Sequence, residues 1–161
     1  TRFTPKQNRR KRFRSMLLCR LIYFSRAAIP AGPGALSGDL GRILNASLKN
    51  NTRDRITGAL IYDRGRFVQV LEGGRSVLNQ TYQRIRYDMR HEKVTLTDFC
   101  EIPGREFGAW SMAYADAANA GGVGPALIDL EVAPAEVLLE KIRRVTAKGV
   151  IAETQEITDR V

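Results

Sequence analysis

The chain contains a single histidine, His91, and only two cysteines, Cys19 and Cys100, in 161 residues. One histidine cannot build a His cluster around a metal, and no serine or cysteine nucleophile has a base at a suggestive spacing. Two cysteines make neither a disulfide framework nor a thiolate zinc site. Both lie in apolar runs, where reduced cysteine serves as a small core residue, and this usage points to a cytoplasmic protein. No run of 18 apolar residues occurs, which excludes a membrane-spanning helix. The basic N-terminus lacks the apolar stretch and small-residue cleavage pattern of a signal peptide. A dinucleotide fingerprint is lacking too. Gly32-Pro33-Gly34 begins like one, but Ser37 stands at the third glycine position and Pro33 blocks the tight turn such a motif needs.

The body of the chain also lacks an excess of charge. The net charge is +9. Arg2, Lys6, Arg9, Arg10, Lys11, Arg12 and Arg14 supply most of it, with no acid before residue 17. The rest holds nineteen basic and seventeen acidic residues. The basicity therefore belongs to residues 1–15, which read as a solvated, disordered tail without hydrophobic periodicity. That distribution argues against a nucleic-acid-binding body.

What is present is a β/α pattern of one domain's length. Met16 to Phe24 is apolar apart from Arg20 and suits a central strand. Leu36, Leu40, Ile43, Leu44 and Leu48 recur at helical spacing, and Asn50-Asn51 fits the end of that helix. Ile56 to Tyr62 is a second strand, and Asp63-Arg64-Gly65-Arg66 a hairpin turn. Phe67 to Gly73 is a third. Ser76 can cap a second helix with Leu78, Tyr82, Ile85 and Met89 as its stripe, and Asp88 to His91 as its last turn. Val94 to Ile102 is a fourth strand. Arg105 to Gly108 is a connector, and Ala109 to Tyr114 is a short fifth strand. Residues 119–124 form a joint. Pro134 opens a third helix with Val137, Leu138, Ile142 and Val145 as its apolar face, stopped at Gly149. That face needs the open side of the sheet or a second subunit. The order β-α-β-β-α-β with an added strand and a C-terminal helical extension is a ferredoxin-like α+β fold. In this reading the first and third strands are parallel neighbours, with Tyr23 and Gln69 near their C-terminal ends.

Gln69 is the anomaly. Phe67, Gln69 and Leu71 share one face of their strand and Val68 and Val70 the other, so an amide stands in an apolar alternation. Alternation does not say which face is buried. Burial requires partners for the amide's donors and acceptor. Other polar or aromatic residues in apolar surroundings are Tyr23, Ser25, Asn50, Asn51 and Trp110, with Met112 nearby. Each alone has an ordinary structural reading: Tyr23 in the core, Asn50 and Asn51 at a helix end, Trp110 and Met112 in packing, and His91 at a helix dipole. Together they describe a polar-lined groove for a small molecule.

In order, the pieces Leu21-Ile22-Tyr23-Phe24-Ser25, Asn50-Asn51, Ile56-Thr57-Gly58-Ala59-Leu60, Phe67-Val68-Gln69-Val70-Leu71-Glu72-Gly73, Ile85 to His91, Arg105-Glu106-Phe107 and Trp110-Ser111-Met112 resemble a BLUF domain. This is the family of flavin-binding blue-light sensors. The resemblance covers residues 17 to 115. It implies non-covalent FAD, with FMN as the alternative, held between the two helices. By the same resemblance Tyr23 falls on the photoactive tyrosine and Gln69 on the switching glutamine. Asn51 falls on the flavin-anchoring asparagine, with Asn50 beside it. Arg90 and His91 fall near the ribityl-phosphate chain, and Ser25 and Asp88 complete the expected cofactor-binding set. Trp110 and Met112 fall on the strand that relays the signal.

The organisation expected is a tail at 1–15, a sensor at 16–115, and a linker with a helical cap at 116–161. The resemblance implies no catalysis and no metal, and an output that acts in trans on a downstream protein or by rearranging a homo-oligomer. Two rivals are a ferredoxin-like binding or regulatory module without chromophore, and a small flavoenzyme. A colourless protein that refuses FAD would favour the first, and dark turnover of NAD(P)H the second.

Overall fold

A computed structural model describes residues 16–29, 38–116 and 128–148. The expected basic tail, Leu36, the Gly32-Pro33-Gly34 stretch, the 119–124 joint and Gly149 lie outside these residues. The elements are β1 (Leu18–Ala27), α1 (Asp39–Asp54), β2 (Thr57–Asp63), β3 (Arg66–Gly74), α2 (Arg75–Tyr87), β4 (His91–Glu101), β5 (Ala113–Asp116) and α3 (Ala135–Lys148). The five strands form one sheet in the order β4-β1-β3-β2-β5. This is the expected α+β, ferredoxin-like arrangement with an added strand.

Side-chain alternation sorts the core into two halves. On one face Leu21, Tyr23, Leu60, Phe67 and Leu71 pack with Leu40 and Leu44 of α1 and Leu78 and Tyr82 of α2. On the other, Ile22, Ala59, Ile61, Val68 and Val70 pack with Leu138, Leu139 and Ile142 of α3. The open face of the sheet is thus where α3 buries its stripe. Val137 points away from it, 42% exposed, and Thr146 is buried in its place.

The pairing of β1 with β3 is antiparallel, not parallel. The crossover through α1 makes β1 and β2 run the same way, and the two-residue hairpin then reverses β3 between them. Arg64 and Gly65 carry φ of 48° and 82° in that hairpin, the double left-handed turn that matches strand twist. The reversal places Tyr23 directly opposite Gln69, near the middle of both strands. Leu60 is in register with Gln69 on the other side. Gly58 allows β3 to come close, because a Cβ there would run into the Val70 carbonyl oxygen.

Five local expectations are corrected. α1 continues through Asn50 and Asn51 to Asp54, and the left-handed residue is Arg55, with φ 56°. α2 starts directly after Gly74 with no side-chain cap, so Ser76 lies inside its first turn. That helix stops at Tyr87, where Asp88 turns extended, and His91 already belongs to β4. Met89, beyond the helix, is 92% exposed and not part of the stripe. The fifth strand begins only at Ala113, so Trp110 and Met112 precede it.

Leu138, Leu139 and Ile142 are fully buried, and at about 1.5–3 kcal/mol each they hold α3 on the sheet. Charge fixes its position. Lys141 meets the buried carboxylate of Asp63 at the hairpin, and Arg64 Nε donates to the same group at 2.9 Å. Burial pushes the Asp63 carboxyl up, but these two cations outweigh it and hold it below the usual carboxylate range. Lys141→Met should destabilise the protein by about 1–3 kcal/mol, since a buried charge loses a partner. Hydrogen exchange should show the loss concentrated in α3. Uniform loss across the sheet would mean that the pair does not position that helix.

Candidate functional site

A cleft of about 130 Å³ opens between α1, α2 and the sheet. The helix stripe Ile43, Ala46, Ser47, Asn50 and Asn51 forms one wall. Thr81, Arg84 and Ile85 of α2 face it, with Asp88, Arg90 and His91 closing one end. Its floor is Tyr23, Gln69, Leu60, Leu71 and Met112. Of the residues singled out in the sequence, Tyr23, Asn50, Asn51, Gln69, Asp88, Arg90, His91 and Met112 meet in this one space. Ser25 stands behind it, with its Oγ 2.9 Å from His91 Nδ1. Trp110 is not brought in: its half-buried ring packs with the cluster on the α3 side.

Gln69 faces inward and is only 4% exposed. Its Oε1 accepts a hydrogen bond from the Tyr23 hydroxyl. Its Nε2 donates to Met112 Sδ at 3.3 Å. Sulfur is a weak acceptor, so the amide is held firmly at one end and loosely at the other. Burial drives the Tyr23 phenol far above its ordinary pKa, with Asp88 and Tyr82 adding to the rise. The phenol therefore keeps its proton at any physiological pH. Its ring contacts Tyr82 at 5.9 Å and His91 at 6.3 Å between centroids.

At the closed end, Asp88 grips Arg90 through Nε at 2.8 Å, Nη2 at 2.6 Å and the backbone N–H at 3.0 Å. The Arg90 hydrogen bond holds the Asp88 carboxyl below the usual range. Arg90 is accordingly a neutralised pair rather than a bare cation. Burial pushes the His91 imidazole down, and the pull of Asp88 offsets only part of it. His91 is then neutral near pH 7 and can donate from one ring nitrogen and accept at the other.

Sequence reasoning missed Arg84, Ser47 and the apolar wall of Ile43, Leu60, Leu71 and Ile85. Ala46, Ser47, Asn50 and Asn51 repeat at helical spacing beside Ile43, and that run of small and polar residues on a core-facing stripe was a signal for a cleft. The donor set suits a flat heteroaromatic with a polar edge. Branched aliphatic side chains line both helices, Asn51, Gln69 and His91 can address ring carbonyls and N–H groups, and Arg84 and Arg90 stand at the rim.

Glu72 and Arg105, conspicuous in the motifs, do not reach this cleft. Glu72 is fully buried and accepts the backbone N–H groups of Glu106 and Phe107 at 3.0 and 2.9 Å. Arg105 donates to the Thr57 hydroxyl, the Glu72 carbonyl and the Arg55 carbonyl. They tie the β4–β5 connector to β2 and β3.

Comparison with known proteins agrees with the geometry. The family described as "Sensors of blue-light using FAD", BLUF, matches residues 18–113. A photoactivated adenylate cyclase subunit alpha-like protein of Euglena gracilis is 36% identical over 92 residues, 57% of this chain and 9% of that protein. The photoactivated adenylate cyclase subunit beta of Euglena longa is 34% identical over 99 residues, 61% of this chain and 11% of that protein. The chain thus spans about a tenth of the length of these relatives. Among solved structures, BlrB, a BLUF protein in its dark state, superposes with a TM-score of 0.70 at 32% identity, covering 84% of this chain and 99% of that one. The photo-activated state of BlsA gives 0.61 at 25% identity, covering 87% and 99%.

Proposed function

The chain belongs to the BLUF family of flavin-binding blue-light sensors, and from that premise we propose that Tyr23 and Gln69 are its photoactive pair, with FAD as the flavin. When bound and lit, the flavin supplies a strong one-electron oxidant. Tyr23 is the oxidisable group facing the cleft, and its phenol proton has one partner, Gln69 Oε1. Loss of an electron from Tyr23 makes that phenol strongly acidic, so the proton moves along this hydrogen bond to the amide. Return of electron and proton leaves Gln69 rotated or tautomerised. An amide has donors at one end and an acceptor at the other, so either change reverses the pattern it presents to the cleft.

The observation that carries this reading is the buried Tyr23–Gln69 bond at the floor of a cleft lined by Asn50, Asn51, Asp88, Arg90 and His91. One absorption spectrum before and after blue light tests it. A small red shift that decays in darkness is expected, and a fixed spectrum overturns it. Heat-released flavin identifies FAD against FMN.

Asn51 anchors the flavin in this reading. Asn51→Ala should weaken flavin binding about tenfold, the worth of one good hydrogen bond. Fluorescence titration of the apoprotein with FAD measures it, and unchanged affinity would remove Asn51 from the anchor role.

We assign the output to the Met112 segment and α3. A changed hydrogen bond at Gln69 is worth about 0.5–1.5 kcal/mol, a bias of up to about tenfold between two arrangements. That suffices to modulate a poised equilibrium, read by a partner protein or by the chain's own oligomer. The cyclase activity in the relatives' names is not carried over, because the match covers only about a tenth of their length. Dark and lit size-exclusion profiles separate oligomer rearrangement from partner recognition.

A further inference from the structure

We propose that the hydroxyls of Ser111 and Thr52 form a positioning clamp that decides which side chain of segment 110–112 stands beside Gln69. The inference rests on the flavin-sensor reading and deepens it. The segment precedes β5, so the strand ladder does not hold it. Three contacts tie it to β2 and to α1 instead. The Gly58 N–H donates to the Trp110 carbonyl at 3.0 Å. Asn51 Nδ2 donates to the Ser111 carbonyl at 2.8 Å. The Ser111 and Thr52 hydroxyls lie 3.0 Å apart. The Thr52 hydroxyl also donates to the Leu48 carbonyl at 2.8 Å. A hydroxyl has one hydrogen, so Ser111 donates in the bond between the two.

Asn51 and Thr52 are consecutive residues of the last turn of α1, and they grip Ser111 at its carbonyl and its side chain together. With Ser111 gripped, Met112 is buried with its sulfur on Gln69, and Trp110 is left on the α3 side. Trp110 and Met112 are two residues apart, the repeat of a strand. A two-residue slide of this segment along β2 would bring Trp110 to the place Met112 holds, and it would break all three contacts. Asn51 couples the clamp to the cleft: one hydrogen of its Nδ2 goes to the Ser111 carbonyl, which leaves the second N–H to donate to a ligand and Oδ1 to accept from one. A flavin held by Asn51 and the register of Met112 then stabilise each other.

Trp110 is the only tryptophan of the chain, so its emission reports its own position. A tryptophan brought against a flavin is quenched by contact. The experiment is the Trp110 emission lifetime in flavin-loaded protein carrying Ser111→Ala, Thr52→Val or Thr52→Ser. The ratio of quenched to unquenched emission should rise about two- to tenfold in the first two, the loss of one hydrogen bond. Thr52→Ser keeps the hydroxyl and should restore the original ratio. The dark-recovery rate of the light-induced shift should move with the ratio, which a merely structural role would not require. Thr52 is exposed, so Thr52→Val folds and decides the matter even where Ser111→Ala does not. Unchanged lifetimes and recovery in Thr52→Val overturn the clamp. A wild-type protein that binds flavin but shows no light-induced shift overturns the sensor reading instead, and the lifetimes still read the clamp.

Discussion

Tyr23→Phe should keep its flavin and lose the light-induced red shift entirely. Phenylalanine preserves the ring that packs against Tyr82 and His91. It removes only the hydroxyl, and with it the proposed electron donor and the proton hydrogen-bonded to Gln69 Oε1. The rest of the cleft is untouched, so flavin affinity should change little. Stability should fall by about 1–3 kcal/mol, because a buried amide oxygen is left without its donor. Gln69→Leu should give the same loss of shift by the opposite route: the phenol remains but the reorientable amide is gone. Gln69→Glu is the more discriminating variant. A carboxylate can accept from Tyr23 but has no donor for Met112 Sδ, so it cannot hold two distinguishable orientations. A light-minus-dark difference spectrum measures all three. A full-sized shift in Tyr23→Phe would mean that another residue is the donor and that the Tyr23–Gln69 bond is only structural.

Much of this site was legible because it lies on regular elements. The alternation of Phe67, Gln69 and Leu71 is that of a strand, and β3 has that alternation with Gln69 on the cleft face. What alternation cannot express is direction between strands, and the antiparallel pairing that sets Tyr23 opposite Gln69 comes from the hairpin geometry. The segment before β5 was illegible for a different reason. Ala109 to Tyr114 has strand composition, but contacts from Gly58, Asn51 and Thr52 hold Trp110 and Ser111 off the ladder. Tertiary hydrogen bonds there override a weak local preference. The end of α1 was misplaced on similar grounds. Asn50 and Asn51 are good helix terminators in isolation, yet Asn51 is buried and its amide is used across the fold at Ser111. The helix can then run to Asp54, and Arg55 turns left-handed, with its N–H bonded back to the Thr52 carbonyl. At α2 the basic residues near the C-terminus suggested one more turn, but Asp88 folds back to hold Arg90, and the chain leaves the helix to start β4.

Glu72 should prove as important to stability as Tyr23 is to the light response. It is fully buried and accepts from Glu106 N–H, Phe107 N–H and the Thr57 hydroxyl. Glu72→Ala strands all three donors and removes the counter-charge near Arg105, a loss of about 3–5 kcal/mol of the kind seen when one partner of a buried charged network is deleted. The denaturant midpoint should fall with little change in slope. Glu72→Gln is milder, because one amide oxygen still accepts while its NH2 opposes a backbone donor. The two variants also differ from wild type in pH dependence. Burial pushes the Glu72 carboxyl above its ordinary value of 4.5, against the pull of its donors and Arg105. Below that value both states are protonated. As pH rises, the unfolded chain ionises first, so the folded state holds more protons and stability declines until the folded carboxyl ionises too. The decline therefore begins near 4.5, levels off above the folded pKa, and should vanish in Glu72→Gln. Because Glu72 lies outside the cleft, a folded Glu72→Gln protein should keep the full red shift. Loss of that shift at retained stability would move Glu72 from the scaffold into the switch, since the connector it holds by Glu106 and Phe107 leads directly to Ser111 and Met112.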